Sequence, residues 1–275
     1  MNSESKTRQH RVIHQNLRQL LDRLLESGST YEFPGSPWHV VRSIAQRASK
    51  RNWSVFLIGG SLRDLALSGV EGTPRDFDLV FCDVSRQTLM TEFSYMSPPR
   101  RTSLGGLRYN YRDVILDIWP LDETFELKHF DRVQIQDVPK HAFLDIEAIA
   151  VEISSGAGKS RQIVEHGFTK AVLSKTIDIN YEPNPFPELC LIKAIRMAAS
   201  LKFLIGRGLM DYILRRRWNL NALMEAQQAH YGKSILGRSE LERVLDLMAG
   251  WNRKNGKFDL TSNYHVALKE SNYTS

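Results

Sequence analysis

The 275-residue chain has no run of about 18 apolar residues, so no segment reads as a membrane span. Met1–His10 is polar and lacks the apolar core of a secretory signal. Cysteine is nearly absent. The two present, Cys82 and Cys190, stand among apolar residues and are expected to be free buried thiols in a cytoplasmic protein. The eight histidines are scattered without ligand spacing, so no zinc site is expected. A P-loop is also missing. Gly156-Ala157-Gly158-Lys159-Ser160 looks like the end of one, but the position of its first glycine holds Ile153. The run lies between the apolar stretch Ala148 to Ile153 and Arg161-Gln162-Ile163-Val164, and reads as a hairpin tip.

What remains is a chain long enough for one full core and a smaller second unit, with 42% hydrophobic and 25% charged residues. Its net charge of +6 suggests a polyanionic partner. Basic residues gather in Pro98-Pro99-Arg100-Arg101, in Lys193, Arg196, Lys202 and Arg207, and in Arg215-Arg216-Arg217-Trp218. Lys193 and Arg196 are three apart and share a helix face, able to meet a triphosphate or an RNA backbone, or simply to be solvated.

The most informative residues are acidic. In Asp76-Phe77-Asp78-Leu79-Val80 two carboxylates lie two apart on a strand and point the same way. Like charges this close repel, and folding gains from them only if a cation lies between. Upstream, after the apolar run Val55 to Ile58, stands Gly59-Gly60-Ser61, a turn that lets backbone N–H groups approach a phosphate. Ser61 is placed to cap the following helix or to reach a phosphate oxygen. Carboxylates for metal beside a turn for phosphate describe nucleotidyl transfer.

At Gly59-Gly60-Ser61-Leu62-Arg63-Asp64, Leu65-Ala66-Leu67-Ser68-Gly69 and Asp76-Phe77-Asp78-Leu79-Val80, the chain resembles the DNA polymerase β-type nucleotidyltransferase superfamily. The branch it resembles is the head domain shared by bacterial poly(A) polymerases and tRNA CCA-adding enzymes. The resemblance implies two divalent ions, Mg²⁺ or Mn²⁺, on Asp76, Asp78 and a third carboxylate from a later strand. Asp117, in Val114-Ile115-Leu116-Asp117-Ile118-Trp119, is that candidate; the alternative is an edge carboxylate facing solvent, as Asp113 is expected to be. Gly59, Gly60, Ser61, Arg63, Lys193 and Arg196 are the candidate nucleotide-binding residues. Arg63 either meets the triphosphate or braces the turn with Asp64. Gly105-Gly106-Leu107 before Asp117-Ile118-Trp119-Pro120-Leu121 resembles a feature of some bacterial relatives and supports the Asp117 strand.

The resemblance also fails in places. The family's Arg-Arg-Asp-Phe-Thr-Ile-Asn-Ala motif corresponds to His141-Ala142-Phe143-Leu144-Asp145-Ile146-Glu147-Ala148, without the paired arginines and with Glu147 for Asn. Before the family-like helix Leu191-Ile192-Lys193-Ala194-Ile195-Arg196-Met197-Ala198-Ala199, Pro187 and Cys190 replace the Asp and Arg that choose the base. Authentic CCA addition is therefore not expected, although ATP or CTP is the expected NTP.

The hydrophobic pattern predicts an α+β fold. An amphipathic helix is expected over residues 9–27, with Val12, Leu17, Leu20, Leu21, Leu24 and Leu25 as its apolar stripe. A second helix follows Ser36-Pro37 to about Ala48. Strands are predicted at 55–58, 76–81, 107–111 and 114–119, the last two as a hairpin around Arg112-Asp113, with helices near Leu62 and over 85–93. Together they form a small mixed sheet with helices on one face. After a turn-rich linker at 180–185, helices are predicted at 187–204, 209–217, 220–231 and 239–250, the last capped at Ser239. The expected organisation is N-terminal helices over 1–50, a nucleotidyltransferase head over 51–180, a helical neck over 181–250 and a polar tail over 251–275. The function expected is NMP transfer from an NTP to an RNA 3′ end, with tRNA as one candidate. The alternatives are a protein or small-molecule acceptor, or a catalytically silent RNA-binding homologue.

Overall fold

The computed structural model describes residues 3–26, 36–71, 74, 76–111, 113–125, 127–155, 160–251 and 256–263. Residues 156–159 of the predicted hairpin tip, Arg112, and most of the predicted C-terminal tail lie outside them. The chain packs as two units, Met1–Ala142 with Ile146–Thr169, and Phe143–Asp145 with Lys170–Ser275. The architecture is α+β.

The first unit opens with α1 (Ser3–Leu25) and α2 (Trp38–Lys50). Leu17, Leu21, Leu24 and Leu25 are buried along α1, but Val12 is 48% exposed and stands outside the predicted stripe. β1 (Ser54–Ile58) leads through Gly59 into α3 (Gly60–Ser68), and β2 (Asp76–Cys82) into α4 (Arg86–Glu92). Ser85 caps α4, its hydroxyl accepting the Thr88 N–H at 3.2 Å. β3 (Arg100–Arg101), β4 (Leu107–Tyr111), β5 (Val114–Pro120), β6 (Ile149–Glu152) and β7 (Ile163–Glu165) complete a seven-stranded sheet in the order β3-β4-β5-β2-β1-β6-β7.

All pairings in this sheet are antiparallel except β2 with β5, where Asp78 sits opposite Asp117. One face carries Val55, Leu57, Phe77, Leu79, Phe81 and Tyr109, all buried. Helices cover it: Trp38 of α2 meets Phe77 edge-on at 4.9 Å, and Phe93, just after α4, meets Phe81 at 5.7 Å. Burying an aromatic or aliphatic side chain of this size contributes about 1.5–3 kcal/mol. The opposite face is not bare, as a helices-on-one-face sheet suggested. Leu127, Ile135 and Val138, from a segment of short 3-10 turns, pack on Phe56, Val80 and Ala150. Such turns carry no 3.6- or 2-residue period, so the sequence pattern passed over them.

In the second unit β8 (Thr176–Ile177), which follows the short α5 (Phe168–Ser174), pairs in parallel with β9 (Leu204–Ile205). α6 (Pro187–Leu201), α7 (Arg207–Leu214), α8 (Leu220–Tyr231) and α9 (Arg238–Ala249) supply the helical core. Buried Gln227 holds the turn after α8: its amide oxygen accepts the Ile235 and Leu236 N–H groups at 2.9 and 2.8 Å. The start of α9 differs from expectation. Gly237 is its N-cap, and Glu240 accepts the Gly237 N–H at 2.7 Å, which leaves Ser239 inside the first turn. Among the described residues no helix is long and apolar enough to cross a membrane.

Candidate active site

Register builds the site. Ile58 of β1 pairs with Asp78 of β2, Asp78 with Asp117 of β5, and Asp117 with Arg108 of β4. Paired residues of adjacent strands share a face, so Asp78, Asp117 and Arg108 form one row across three strands. Asp76 shares that face two residues along β2. The three predicted carboxylates are therefore brought together. Asp117 is only 6% exposed and lies on an interior strand, which removes the solvent-facing alternative; Asp113 is the exposed one, at φ +65° in the hairpin turn.

Sequence reasoning missed Arg108. Its Nε donates to Asp117 Oδ1 at 2.7 Å and its Nη2 to Asp117 Oδ2, a two-point fork on one carboxylate. Those hydrogen bonds raise the Arg108 pKa against the opposite pull of burial, and the charges of Asp117, Asp76 and Asp78 raise it further. The signal was present in the sequence: a two-residue turn at 112–113 pairs 111 with 114 and, counting outward, 108 with 117.

The Gly59 turn lies against this row. Gly59 adopts φ +72°, a conformation that strains any residue with a Cβ, and a Cβ built there would sit 3.8 Å from Asp78 Oδ2. Gly59 rather than Ser61 is the N-cap of α3. Ser61 falls inside the first turn, 4% exposed, with a buried hydroxyl that has no hydrogen-bond partner among the described residues. Arg63 donates from Nε to Asp64 at 2.8 Å and from Nη1 to Glu147. Burial draws its pKa down, but the charges of Glu147, Asp64 and Asp76 outweigh that and leave it raised. A Cβ on Gly60 would meet Arg63 and Glu147 at 3.5 Å, so this pair packs directly on the turn. Glu147, the residue in place of the family's Asn, thus serves as a counter-charge to Arg63.

The second glycine turn has a packing cause. A Cβ on Gly106 would fall 2.3 Å from the Trp119 indole, so the glycine lets Trp119 close over β4. Cys82 is half-buried rather than fully buried; burial, with Asp83 and Glu152 adding, pushes its thiol up to about 11.

Lys193 and Arg196 belong to α6 of the second unit. Both are partly exposed, and the Arg196 guanidinium lies 5.4 Å from the Tyr231 ring centroid. Pro187 takes the first position of α6 and Cys190 is 6% exposed. Arg215 and Arg216 both bond Glu182, at 3.0 and 3.3 Å, so that basic cluster is partly neutralised within its own unit.

Solved structures share this fold. The Thermotoga maritima CCA-adding enzyme complexed with tRNA is 14% identical, at a TM-score of 0.57, over 85% of this chain and 54% of that one. A tRNA-processing enzyme in an apo form is 15% identical, at 0.55, over 78% and 60%. A tRNA nucleotidyltransferase complexed with a primer tRNA and an incoming ATP analogue is 16% identical, at 0.52, over 77% and 64%. The chain thus spans between about half and two thirds of their lengths. The likeness is one of fold, and it agrees with the α+β fold expected from the sequence. No family model and no curated protein matches the chain.

Proposed function

We propose that this chain is a metal-dependent nucleotidyltransferase that moves an NMP unit from an NTP to an acceptor and releases pyrophosphate. The observation that carries this reading is the row of Asp78 and Asp117, with Asp76 on the same face, against the Gly59 turn. The donor set fits a hard divalent ion: all three side chains offer carboxylate oxygen, as Mg²⁺ or Mn²⁺ requires. Asp76, Asp78 and Asp117 would hold it. When bound, such an ion neutralises charge on the phosphates and favours the deprotonated acceptor hydroxyl.

The chain's own groups do the rest. Gly59 and Gly60 open α3, so backbone N–H groups and the positive end of the helix meet the phosphates, with the unpartnered Ser61 hydroxyl close behind. Arg63 braces that turn through Asp64 and Glu147. Arg108 pairs with Asp117 through both guanidinium nitrogens that face it and holds the carboxylate in place. The acceptor oxygen then bonds to the α-phosphorus, the bond from that phosphorus to the oxygen bridging to the β-phosphate breaks, and the hydroxyl proton leaves to solvent.

The preferred acceptor is an RNA 3′ end, tRNA included, because the net charge is +6 and the solved proteins of this fold are described as tRNA enzymes. Lys193 and Arg196 are the proposed contacts for triphosphate or RNA backbone. A protein or small-molecule acceptor is the second reading, favoured by Pro187 and Cys190, which present no polar group for choosing a base. Incubation with each α-labelled NTP, Mg²⁺ or Mn²⁺, total RNA and lysate separates them. Label on RNA that disappears in Asp76→Ala with Asp78→Ala supports the main reading. Label on protein or small molecules supports the second, and no label with any NTP overturns both.

A further inference from the structure

The fold brings together three groups that the nucleotidyl-transfer site does not use. His10 and His14 lie four apart on α1, one turn above the other on a single face. Their ring centroids are 4.4 Å apart. Glu165, the last residue of β7, points its Oε1 at both: His10 Nε2 contacts it directly and His14 Nε2 lies 3.7 Å away. The three ligand atoms all fall within 4.8 Å of one another. The expectation that the histidines lack ligand spacing is therefore corrected, because the third member comes from a strand 155 residues away from His10.

The surroundings are those of a built site. Glu165 Oε2 accepts the Thr169 N–H at 2.6 Å, which fixes the carboxylate and turns Oε1 toward the imidazoles. The Thr169 hydroxyl lies 3.5 Å from His14 Nε2. Glu165 and His14 have side chains only 12% and 15% exposed, while His10 is 46% exposed and leaves an open side for water. Farther along α1, Arg161 donates to Asp22 at 2.7 Å and Arg18 donates to the Arg161 carbonyl at 2.9 Å. The helix is thus already held along the 161–165 segment, and the three ligands are positioned before any ion arrives.

We propose that His10, His14 and Glu165 bind a divalent transition-metal ion of the Zn²⁺ class, with water as a fourth ligand, separately from the Asp76, Asp78 and Asp117 site. Two imidazole nitrogens and one carboxylate oxygen are a donor set that Zn²⁺ accepts, with bonds near 2.0–2.2 Å. The same set disfavours Mg²⁺, which takes oxygen ligands and holds its waters. The ion replaces an arrangement in which two ring nitrogens compete for one carboxylate oxygen. Its effect is a clip that ties the first half of α1 to the end of β7.

The test is equilibrium dialysis of the full chain against Zn²⁺, with Co²⁺ as the spectroscopic probe. Wild-type protein is expected to retain one Zn²⁺ equivalent at low-micromolar free metal and to show visible Co²⁺ d–d bands that Zn²⁺ abolishes. His10→Ala, at an exposed position, and Glu165→Gln lose both. Their affinity falls more than about a hundredfold, since removing even an outer-shell partner costs 10–100-fold. Asp76→Asn with Asp78→Asn retains the site. Absence of retained Zn²⁺ in wild type overturns the proposal. So does equal retention by His10→Ala and Glu165→Gln variants whose circular dichroism matches wild type, or loss confined to the Asp76, Asp78 double variant.

Discussion

Asp117 in the first unit and Asp178 in the second are both carboxylates drawn in from solvent, and the chain answers them differently. Asp178 Oδ1 accepts the Ile179 and Leu209 N–H groups at 2.9 and 2.6 Å, and its backbone exchanges hydrogen bonds with Asp145. Leu209 stands in the first turn of α7, so Asp178 also meets the positive end of that helix. Glycines close around it: a Cβ on Gly206 or Gly208 would come within 2.4 or 2.9 Å of its carboxyl atoms. Asp117 has an arginine fork whose side chain is 40% exposed, and across the row it has another carboxylate, Asp78. A carboxylate walled in by amides and glycines has a structural task. One answered by a half-exposed side chain beside two like charges has the arrangement that the proposed cation site calls for.

Breaking each acid in turn separates the two tasks. Asp76→Ala with Asp78→Ala removes the proposed metal ligands. Transfer of labelled NMP should then fall by about a thousandfold or more, the loss of several kcal/mol of charge stabilisation, while the melting temperature stays close to wild type. Asp178→Ala should do the reverse. With two amides left without an acceptor, urea unfolding should show a loss of about 2–4 kcal/mol, with transfer per folded molecule retained. Gly206→Ala should act in the same direction, because its Cβ cannot coexist with the Asp178 carboxyl.

Arg108→Ala sharpens the comparison from the other side. Breaking a fully buried pair costs about 3–5 kcal/mol, but Arg108 is part-exposed, so denaturant melts should show about 2 kcal/mol. Arg108→Lys should recover only part of that, since an ammonium cannot reproduce the two-point fork. Gly59→Ala should have the smallest effect on stability, about 1–2 kcal/mol for the left-handed backbone, together with weaker NTP binding.

The same contrast explains what was legible in the sequence. Asp76, Asp78, the Gly59 turn and the Asp117 strand announced themselves through alternation and spacing, and their strands formed where the apolar pattern placed them. Arg108 was equally encoded, in the two-residue hairpin turn, but finding it required counting register outward rather than searching for a motif. Asp178 gave no local signal, because Leu209 and Gly206 reach it from 28 or more positions along the chain. The cover over the second sheet face and the meeting of His10, His14 and Glu165 were hidden for the same reason: both depend on pairings between distant segments. Ser61 and Ser239 look like caps by residue type, but a glycine ahead of each occupies the cap position.

The central claim rests most directly on Mg²⁺-dependent binding of a non-hydrolysable NTP, compared across wild type, Asp78→Asn and Asp178→Asn. Wild type and Asp178→Asn should bind alike, the latter with a lowered melting temperature, and Asp78→Asn should lose at least about tenfold, or 1.4 kcal/mol, of the Mg²⁺-dependent affinity. Undiminished Mg²⁺-dependent binding in Asp78→Asn, or its loss in Asp178→Asn alone, would contradict the account.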